Sequence, residues 1–336
     1  MRRIYSYIIA LSLFMLFTGC EESLITSPEA EIEIPTGNYI HFNTQVSTRG
    51  TLITDMKRNF AVTAFDYDKD WSTAVATAQP TVMHNQLVTW NGSLYTYDTN
   101  TSESGNQLKE WEEGKKYTFF AHQPTDLTIS SSTTYGTPYL TYTLPADVAN
   151  MVDIMTASVF DTDNTLGNTV GLTFKHRLTA LGIQIRNLNK DNSIELDKLN
   201  ISFINNTLKY NKATIPLDAS MEMTRTVSGS VSQGPYSFIS SGTISIPALE
   251  TVSLDNAMIF IPQEGTSTDD DFLQGNITYS YSDKNSDEEP QTFNVGRDMK
   301  AGRKYYLQMT FSAGAITIAI IESGEWTDKD VDIEFE

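Results

Sequence analysis

Cys20 is the only cysteine among the 336 residues, and its surroundings predict one specific modification. Arg2 and Arg3 precede a mostly apolar run, Ile4–Phe17, and small residues separate this run from the cysteine. The layout is typical of a secretory signal peptide, and the run is too short to span a bilayer as a mature helix. Because the cysteine directly follows the expected cleavage point, we predict that its thiol is lipidated. The alternative is an ordinary signal peptide with an incidental cysteine.

The remaining candidate groups do not complete a site of known chemistry. The segment Asp66–Asp70 opens like an EF-hand calcium loop, but Trp71 stands where that loop needs glycine and Thr77 where it needs glutamate. No dinucleotide-binding, Walker A, GxSxG or HExxH motif occurs. The four histidines lack the spacing of metal ligands: His41, His84, His122 and His176. We therefore expect no enzyme activity, no bound metal and no cofactor.

The acidity of the chain limits its partners. The formal net charge is −19, and loss of Arg2 and Arg3 with the signal peptide would bring it to −21. A surface of this charge repels the phosphates of nucleic acids and the headgroups of anionic lipids. We expect no nucleic-acid partner, and membrane contact only through the lipid on Cys20.

The pattern of apolar residues predicts an all-β fold. Short segments alternate between apolar and polar residues, as in half-buried strands: Asn59–Phe65, Lys116–Ala121, Leu140–Leu144 and Tyr305–Phe311. Two of these strands follow similar glycine turns, Glu113–Tyr117 and Ala301–Tyr305. Many short strands separated by turns indicate β-sandwiches rather than alternating strands and helices. The repeated turn, late in each half of the chain, agrees with two sandwiches of similar build.

These observations divide the chain into four parts. Residues 1–19 are the lipoprotein signal peptide, and residues 20–36 form an acidic flexible tether with five glutamates and two prolines within Glu21–Thr36. Residues 37–168 are predicted to form an N-terminal β-sandwich, and residues 169–336 a C-terminal β-sandwich. The turn-rich stretch Asp161–Asn168 lies at the boundary, and Val170–Asn187 reads as the strand that begins the second sandwich.

Several short motifs follow one another in a recognisable order. After the lipoprotein signal and tether come Ser47-Thr48-Arg49-Gly50, then FAVTAF at 60–65, YTFFAHQP at 117–124, DIMTA at 153–157, LTFKHRL at 172–178 and a strand pair around Trp326. This order resembles the fimbrillin-like proteins of Bacteroidetes, the subunits of type V pili. The resemblance implies two tandem transthyretin-like β-sandwiches. It also implies export to the outer membrane as a lipoprotein, trimming by an arginine-specific protease, and polymerisation by strand exchange with other subunits, in a homo-polymer or a hetero-polymer.

The resemblance also implies which residues would take part in assembly. The strand to be removed is Tyr39–Val46, with Ile40, Phe42 and Thr44 on one side, and cleavage would fall between Arg49 and Gly50. The donor segments lie at the C-terminus and alternate apolar residues: Ile316, Ile318, Ile320, Val331, Ile333 and Phe335. An exposed apolar edge strand promotes aggregation of a soluble monomer, so soluble monomers normally avoid one. Its presence here is explained if these segments are donor strands.

Two other functions fit the sequence. The chain could be a monomeric surface lipoprotein that binds glycan or another cell-surface ligand. It could also be the anchor or tip subunit of a fimbria rather than a stalk subunit. Stalk, tip and anchor subunits differ by whether both ends are available for strand exchange. Without exchange, Arg49 and the two terminal segments would be ordinary parts of the fold.

Overall fold

The computed structural model is built almost entirely from β-strands. It describes residues 37–48, 51–54, 57–97, 108–204, 206–218, 220, 222–263, 273–281, 289–295, 298–312 and 315–325. Within these ranges the chain forms 21 strands, one short α-helix at Trp71–Ala74 and two 3₁₀ turns. The prediction of an all-β fold is confirmed.

The strands, in chain order, are β1 (His41–Thr48), β2 (Thr51–Thr54), β3 (Phe60–Tyr67), β4 (Met83–Trp90), β5 (Tyr95–Thr96), β6 (Lys116–Gln123), β7 (Thr128–Ile129), β8 (Tyr139–Thr143), β9 (Met155–Thr162), β10 (Thr169–His176), β11 (Thr179–Asn187), β12 (Ile194–Phe203), β13 (Lys212–Pro216), β14 (Thr224–Thr226), β15 (Tyr236–Ile239), β16 (Ile244–Ile246), β17 (Thr251–Phe260), β18 (Leu273–Tyr281), β19 (Glu289–Val295), β20 (Arg303–Ser312) and β21 (Ala315–Glu325). They form four sheets.

The N-terminal sheet has eight strands in the order β2-β1-β10-β9-β6-β3-β4-β5. It curls until β1, the second strand from one end, meets β5 at the other end, where Thr44 is hydrogen-bonded to Tyr95. Alternate side chains from nearly every strand fill the inside of the curl, including Phe42, Phe60 and Phe119. This interior is the N-terminal core.

The second half of the chain forms a sandwich of two sheets. The C-terminal sheet has the order β17-β11-β20-β21, and the facing sheet has the order β15-β12-β18-β19, with β16 also paired to β12. The two layers meet through their inward side chains. For example, the ring centroids of Tyr279 on β18 and Phe311 on β20 are 5.8 Å apart.

A fourth sheet, β14-β13-β8-β7, joins the two halves. Its central pair combines β8 from the first half with β13 from the second, in register from Thr143 and Lys212 to Tyr139 and Pro216. The second core is therefore continuous across both halves, from Phe120 on β6 to the C-terminal sandwich. The two halves thus share one sheet and one core.

The passage between the halves lies later than the expected boundary between residues 168 and 169. Val170–Asn187, which reads as one strand, forms two strands in different sheets. β10 pairs with β1 and β9 in the N-terminal sheet, whereas β11 pairs with β17 and β20. The apolar alternation continues through both strands because both are buried, so the pattern alone did not show the crossing at Arg177 and Leu178.

Arg177 lies at this crossing and is 1% exposed. One of its guanidinium nitrogens, Nη1, donates to Thr156 Oγ1 on β9 at 2.8 Å and to the carbonyl oxygens of Pro216 and Asp218. Nη2 donates to the carbonyl oxygen of Glu222 at 3.1 Å. Burial lowers the pKa of Arg177 to about 10, and the nearby Asp218 charge opposes the shift. A single buried cation thus connects the N-terminal sheet to the segment that follows β13.

Candidate assembly site

The strand predicted to be removable, Tyr39–Val46, overlaps β1 (His41–Thr48), and its alternate side chains are buried in the N-terminal core. Ile40 is fully buried, Phe42 is 5% exposed and Thr44 is 4% exposed. Every second residue of an extended chain lies on the same face, so these three side chains form one inward row. Asn43, on the opposite face, is exposed.

Phe42 is the centre of this row. Its ring lies 6.0 Å from Phe60, 5.7 Å from Tyr97 and 5.9 Å from Phe119, measured between centroids. Two of these contacts are edge-to-face, the arrangement that aromatic quadrupoles favour. Removing Phe42 would therefore open a cavity lined by aromatic rings.

Tyr95 and Tyr97 form hydrogen bonds with the other two residues of this row, Thr44 and Ile40. The hydroxyl groups of Thr44 and Tyr95 are 2.8 Å apart in a buried hydrogen bond. The Tyr97 hydroxyl donates to the carbonyl oxygen of Ile40 at 2.9 Å and accepts from the Lys109 N–H at 3.2 Å. Burial raises the pKa of Tyr97 to about 12, so its hydroxyl keeps its proton at physiological pH.

The main chain of this segment has partners on both sides. β1 pairs in parallel with β10, from His41 opposite Thr169 to Val46 opposite Phe174. On the other side, the Ile40 N–H donates to the carbonyl oxygen of Lys109 at 2.8 Å. The Trp111 N–H donates to the carbonyl oxygen of Asn38, also at 2.8 Å. β2 pairs with the end of β1. β1 thus fills a groove whose walls are β10 on one side and residues 109–111 with β2 on the other.

The sequence did not point to the residues of these walls. Tyr95, Tyr97, Trp111 and the edge of β10 were not among the predicted site residues. One usable signal was present, because Tyr95 and Tyr97 are two residues apart and therefore share a face of an extended segment. The partner strand β10 could not be found in this way, since local patterns do not encode which distant strand pairs with which.

The described part of the predicted donor region is β21, which lies in its own sheet. It pairs antiparallel with β20 along its length, from Ser312 opposite Ala315 to Arg303 opposite Glu325. Ile316, Ile318 and Ile320 are half-buried and pack against the second core. Their neighbours on the other face of β21 are exposed: Thr317, Ala319 and Ile321.

The other predicted site residues lie outside the described residues: Cys20, Arg49, Gly50, Val331, Ile333 and Phe335. In the part of the chain that the structure describes, no group of three or more His, Cys, Asp or Glu side chains is placed to hold a metal ion. The helices in these same ranges include none that is long and apolar enough to cross a membrane.

Solved structures with a similar fold come from Bacteroides species. A fimbrial protein from Bacteroides vulgatus has a TM-score of 0.63 and 18% identity, covering 86% of this chain and 99% of that protein. A putative cell adhesion protein from Bacteroides ovatus has a TM-score of 0.55 and 15% identity, with 86% and 97% covered. A second such protein, from Bacteroides uniformis, has a TM-score of 0.51 and 15% identity, with 88% and 100% covered.

No curated protein matches the chain at a significant level. A family model described as Fimbrillin-like matches residues 44–326, which include the N-terminal groove and β21. Fimbrillin-like proteins are fimbrial and cell-adhesion proteins rather than enzymes, which agrees with the absence of catalytic motifs in the sequence. Because this match spans most of its length, the chain belongs to the fimbrillin-like family.

Proposed function

We propose that this protein is a fimbrial subunit that polymerises by donor-strand exchange. It is exported as a lipoprotein with Cys20 as the anchor, cut after Arg49 at the outer membrane, and joined to further subunits through the groove that β1 leaves. The observation that carries the proposal is the position of β1, which is buried in the core and yet precedes every other described strand.

A single cut is sufficient to detach β1 because of this position. Arg49 and Gly50 form the link between β1 and β2, and every later strand lies on the far side of that link. After cleavage, the segment would be held by non-covalent contacts alone: pairing with β10 and β2, packing in the core, and the hydrogen bonds to Tyr95, Tyr97 and residues 109–111. An internal strand, by contrast, would need two cuts.

The opened groove would bind a strand with the same pattern as β1. Loss of β1 exposes the main-chain groups of β10 and the pockets of Ile40 and Phe42. Burial of each such side chain contributes roughly 1.5–3 kcal/mol, and pairing along an exposed sheet edge adds main-chain hydrogen bonds. A neighbouring subunit that inserts such a strand would restore the buried side chains and the main-chain hydrogen bonds that cleavage removes.

The segment Asp330–Glu336 fits this role better than β21. Ile333 and Phe335 are separated by one residue, as are Ile40 and Phe42, so a donor running in the direction of β1 would place the same two side chain types in the same two pockets. β21 would instead have to leave β20 and uncover the second core. In our proposal β21 stays in its own sheet and the last seven residues are the donor.

The proposal predicts that arginine-specific cleavage starts polymerisation. Purified wild-type protein would be treated with an arginine-specific protease and its oligomers resolved by electrophoresis. Wild type should form a ladder, whereas Arg49→Lys, which keeps the charge but removes the cleavage site, should stay monomeric. Arg58→Lys is the matched control, because Arg58 is exposed and lies only nine residues further along.

Donor variants complete the experiment. Phe335→Asp should abolish the ladder because a carboxylate cannot enter the aromatic pocket, whereas Glu334→Gln, on the other face, should not. A ladder from Arg49→Lys, or equal ladders from Phe335→Asp and wild type, would rule out the exchange mechanism. Cleavage at Arg49 without oligomers would favour a monomeric binding protein.

The lipid anchor has a separate test. Cys20→Ala should lose metabolic labelling with palmitate and move from the membrane fraction to the soluble fraction. A single acyl chain binds membranes only marginally, so the proposal requires more than one chain on the processed N-terminus. Unchanged labelling in Cys20→Ala would contradict the proposed anchor.

A further inference from the structure

The inward row of the β1 segment has two apolar positions between two polar ones. Counting by two from Ile40 and Phe42, the preceding residue is Asn38 and the following one is Thr44. Asn38 is exposed, and its Nδ2 donates to the carbonyl oxygen of Trp111 at 2.9 Å. Thr44, at the other end, is 4% exposed and hydrogen-bonded to Tyr95. The groove that β1 leaves therefore has two apolar pockets with a polar position on either side.

The proposed donor has a longer apolar row than β1. Val331, Ile333 and Phe335 alternate with acidic residues in Asp330–Glu336, so an extended strand would present all three on one face. A shift of two residues keeps the same face inward, because side chains alternate with a period of two. Two registers therefore fill both pockets with apolar side chains, and the sequence of the donor does not decide between them.

The two registers differ in what they bury. In the matched register, Ile333 and Phe335 enter the two pockets, and Val331 stays at the exposed end of the groove. In the shifted register, Val331 and Ile333 enter the pockets, and Phe335 takes the position of Thr44. The shifted register buries three apolar side chains and the matched register buries two, so the hydrophobic effect alone would favour the shifted register.

Tyr95 opposes the shifted register. Its hydroxyl lies 2.8 Å from Thr44 Oγ1, which leaves no space for further atoms between the two groups. Because Thr44 is buried, its other sides are closed as well. The Tyr95 ring is itself held in place, since its centroid lies 5.1 Å from that of Phe60 and 4.9 Å from that of Trp90. A phenyl ring in place of the Thr44 side chain would have to displace Tyr95 from these contacts.

Polarity acts in the same direction as size. A phenylalanine at this third position would replace the buried hydrogen bond between Thr44 and Tyr95 with an apolar contact against a hydroxyl group. The pocket of Phe42 is different, because the rings of Phe60, Tyr97 and Phe119 surround it. An aromatic side chain therefore suits the second pocket and does not suit the third position.

We infer that Tyr95 is a specificity-determining residue of the groove and holds the donor strand in the matched register. It admits a small hydroxyl side chain at the third inward position and rejects a large apolar one. The partner that fits best is then a strand with an aliphatic, an aromatic and a small polar residue at alternate positions. This inference rests on the proposed strand exchange and adds the register in which the donor binds.

Disulfide formation between the donor and β10 reports the register. Thr169 and Gly171 are exposed on β10 and pair with His41 and Asn43 of β1. Neighbouring strands lie about 4.8 Å apart, a distance between Cα atoms that a disulfide can span. Glu334 stands in the place of His41 in the matched register and in that of Asn43 in the shifted register. A donor with Glu334→Cys should therefore crosslink to Thr169→Cys in the matched register and to Gly171→Cys in the shifted one.

The acceptor is the full chain, cut with an arginine-specific protease and carrying one of the two β10 cysteines. Cys20→Ala leaves that cysteine as its only thiol, and Phe335→Asp prevents its own C-terminus from acting as a donor. A fluorescent peptide with the sequence Asp330–Glu336 and Glu334→Cys is added in excess. Retention of the peptide and its crosslinking under mild oxidation are measured separately. Crosslinking to Thr169→Cys should exceed that to Gly171→Cys by about tenfold or more.

Two changes test the role of Tyr95 itself. Tyr95→Leu shortens the side chain and removes the hydroxyl, so the crosslink should move to Gly171→Cys. A peptide with Phe335→Thr should make the same move in the unaltered groove, because threonine is the residue that β1 places beside Tyr95. This second measurement does not depend on the folding of a Tyr95 variant. A peptide with Ile333→Asp is the control and should not be retained.

The outcomes separate this inference from the exchange mechanism. If the groove does not retain the peptide, the proposed strand exchange fails, and the role of Tyr95 fails with it. A retained peptide that crosslinks mainly to Gly171→Cys, or to neither cysteine, would overturn the role of Tyr95 and leave the exchange intact. A crosslink that stays at Thr169→Cys with the Phe335→Thr peptide, or in a folded Tyr95→Leu groove, would overturn it equally.

Discussion

His122 gives the sharpest prediction about stability, because it is an imidazole buried in a neutral state. It lies on β6, is fully buried, and neither ring nitrogen has a hydrogen-bond partner among the described residues. Burial lowers its pKa from 6.5 to about 4, against the opposing effect of Asp126. The folded protein therefore binds fewer protons than the unfolded chain between these two pH values. The contribution of His122 to stability is complete above pH 6.5 and is lost as the pH falls towards 4.

The magnitude follows from the two pKa values. Relative to pH 8, protonation of His122 in the unfolded chain should remove roughly 1 kcal/mol at pH 5.5 and roughly 2 kcal/mol at pH 5.0. His122→Leu cannot titrate and should lack this loss, so the free energies of unfolding of variant and wild type should diverge by these amounts as the pH falls. Urea titrations followed by the fluorescence of the buried Trp71 and Trp111 would measure them.

The control is His84→Leu, which removes an exposed histidine whose Nε2 is 3.0 Å from the Ser130 carbonyl oxygen. This variant should keep the pH dependence that His122 produces. All measurements stay above the isoelectric point of about 4.5, where the protein would precipitate. Parallel curves of unfolding free energy against pH for wild type and His122→Leu would refute the reasoning.

Two further substitutions test the core and the junction. Phe42→Ala should destabilise the uncleaved protein by about 3–5 kcal/mol in urea unfolding, because it leaves a cavity among three aromatic rings. Asn43→Ala, on the exposed face, should change the unfolding free energy little. Equal effects of the two substitutions would show that the inward row is not packed as described. Arg177→Met should change the unfolding free energy by less than about 2 kcal/mol, because it removes the cost of burying a cation. It should nevertheless increase amide hydrogen exchange in residues 216–222, and unchanged exchange there would contradict a connecting role for Arg177.

The sequence predicted the structure correctly where a single strand or a single turn produces the pattern of residues. The alternation in Tyr305–Phe311 lies within β20, and that in Asn59–Phe65 overlaps β3. The two similar glycine turns were also found, because Gly114 and Gly302 have φ values of 78° and 67°, which residues with a side chain rarely adopt.

The sequence pattern did not predict which strands pair when they lie far apart in the chain. The parallel pairing of β1 with β10 and the bridge between β8 and β13 depend on strands far apart in the chain, and alternation does not specify a partner. Arg177 also escaped detection, since an arginine that follows Lys175 and His176 reads as a surface side chain. It is buried only because segments from both halves close over it.

The parallel pairing of β1 has a consequence for the order of folding during export. His41 pairs with Thr169, so β1 must wait for a partner strand that is more than a hundred residues further along the chain. Contacts of such high sequence separation form slowly, because a long loop must close before they contribute. On the proposed pathway, a protease that acts too early would remove β1 before the N-terminal core has formed around it. Productive cleavage must therefore follow folding. Until then β1 occupies the groove of its own subunit, so the groove forms with the shape that the donor strand of the next subunit will need.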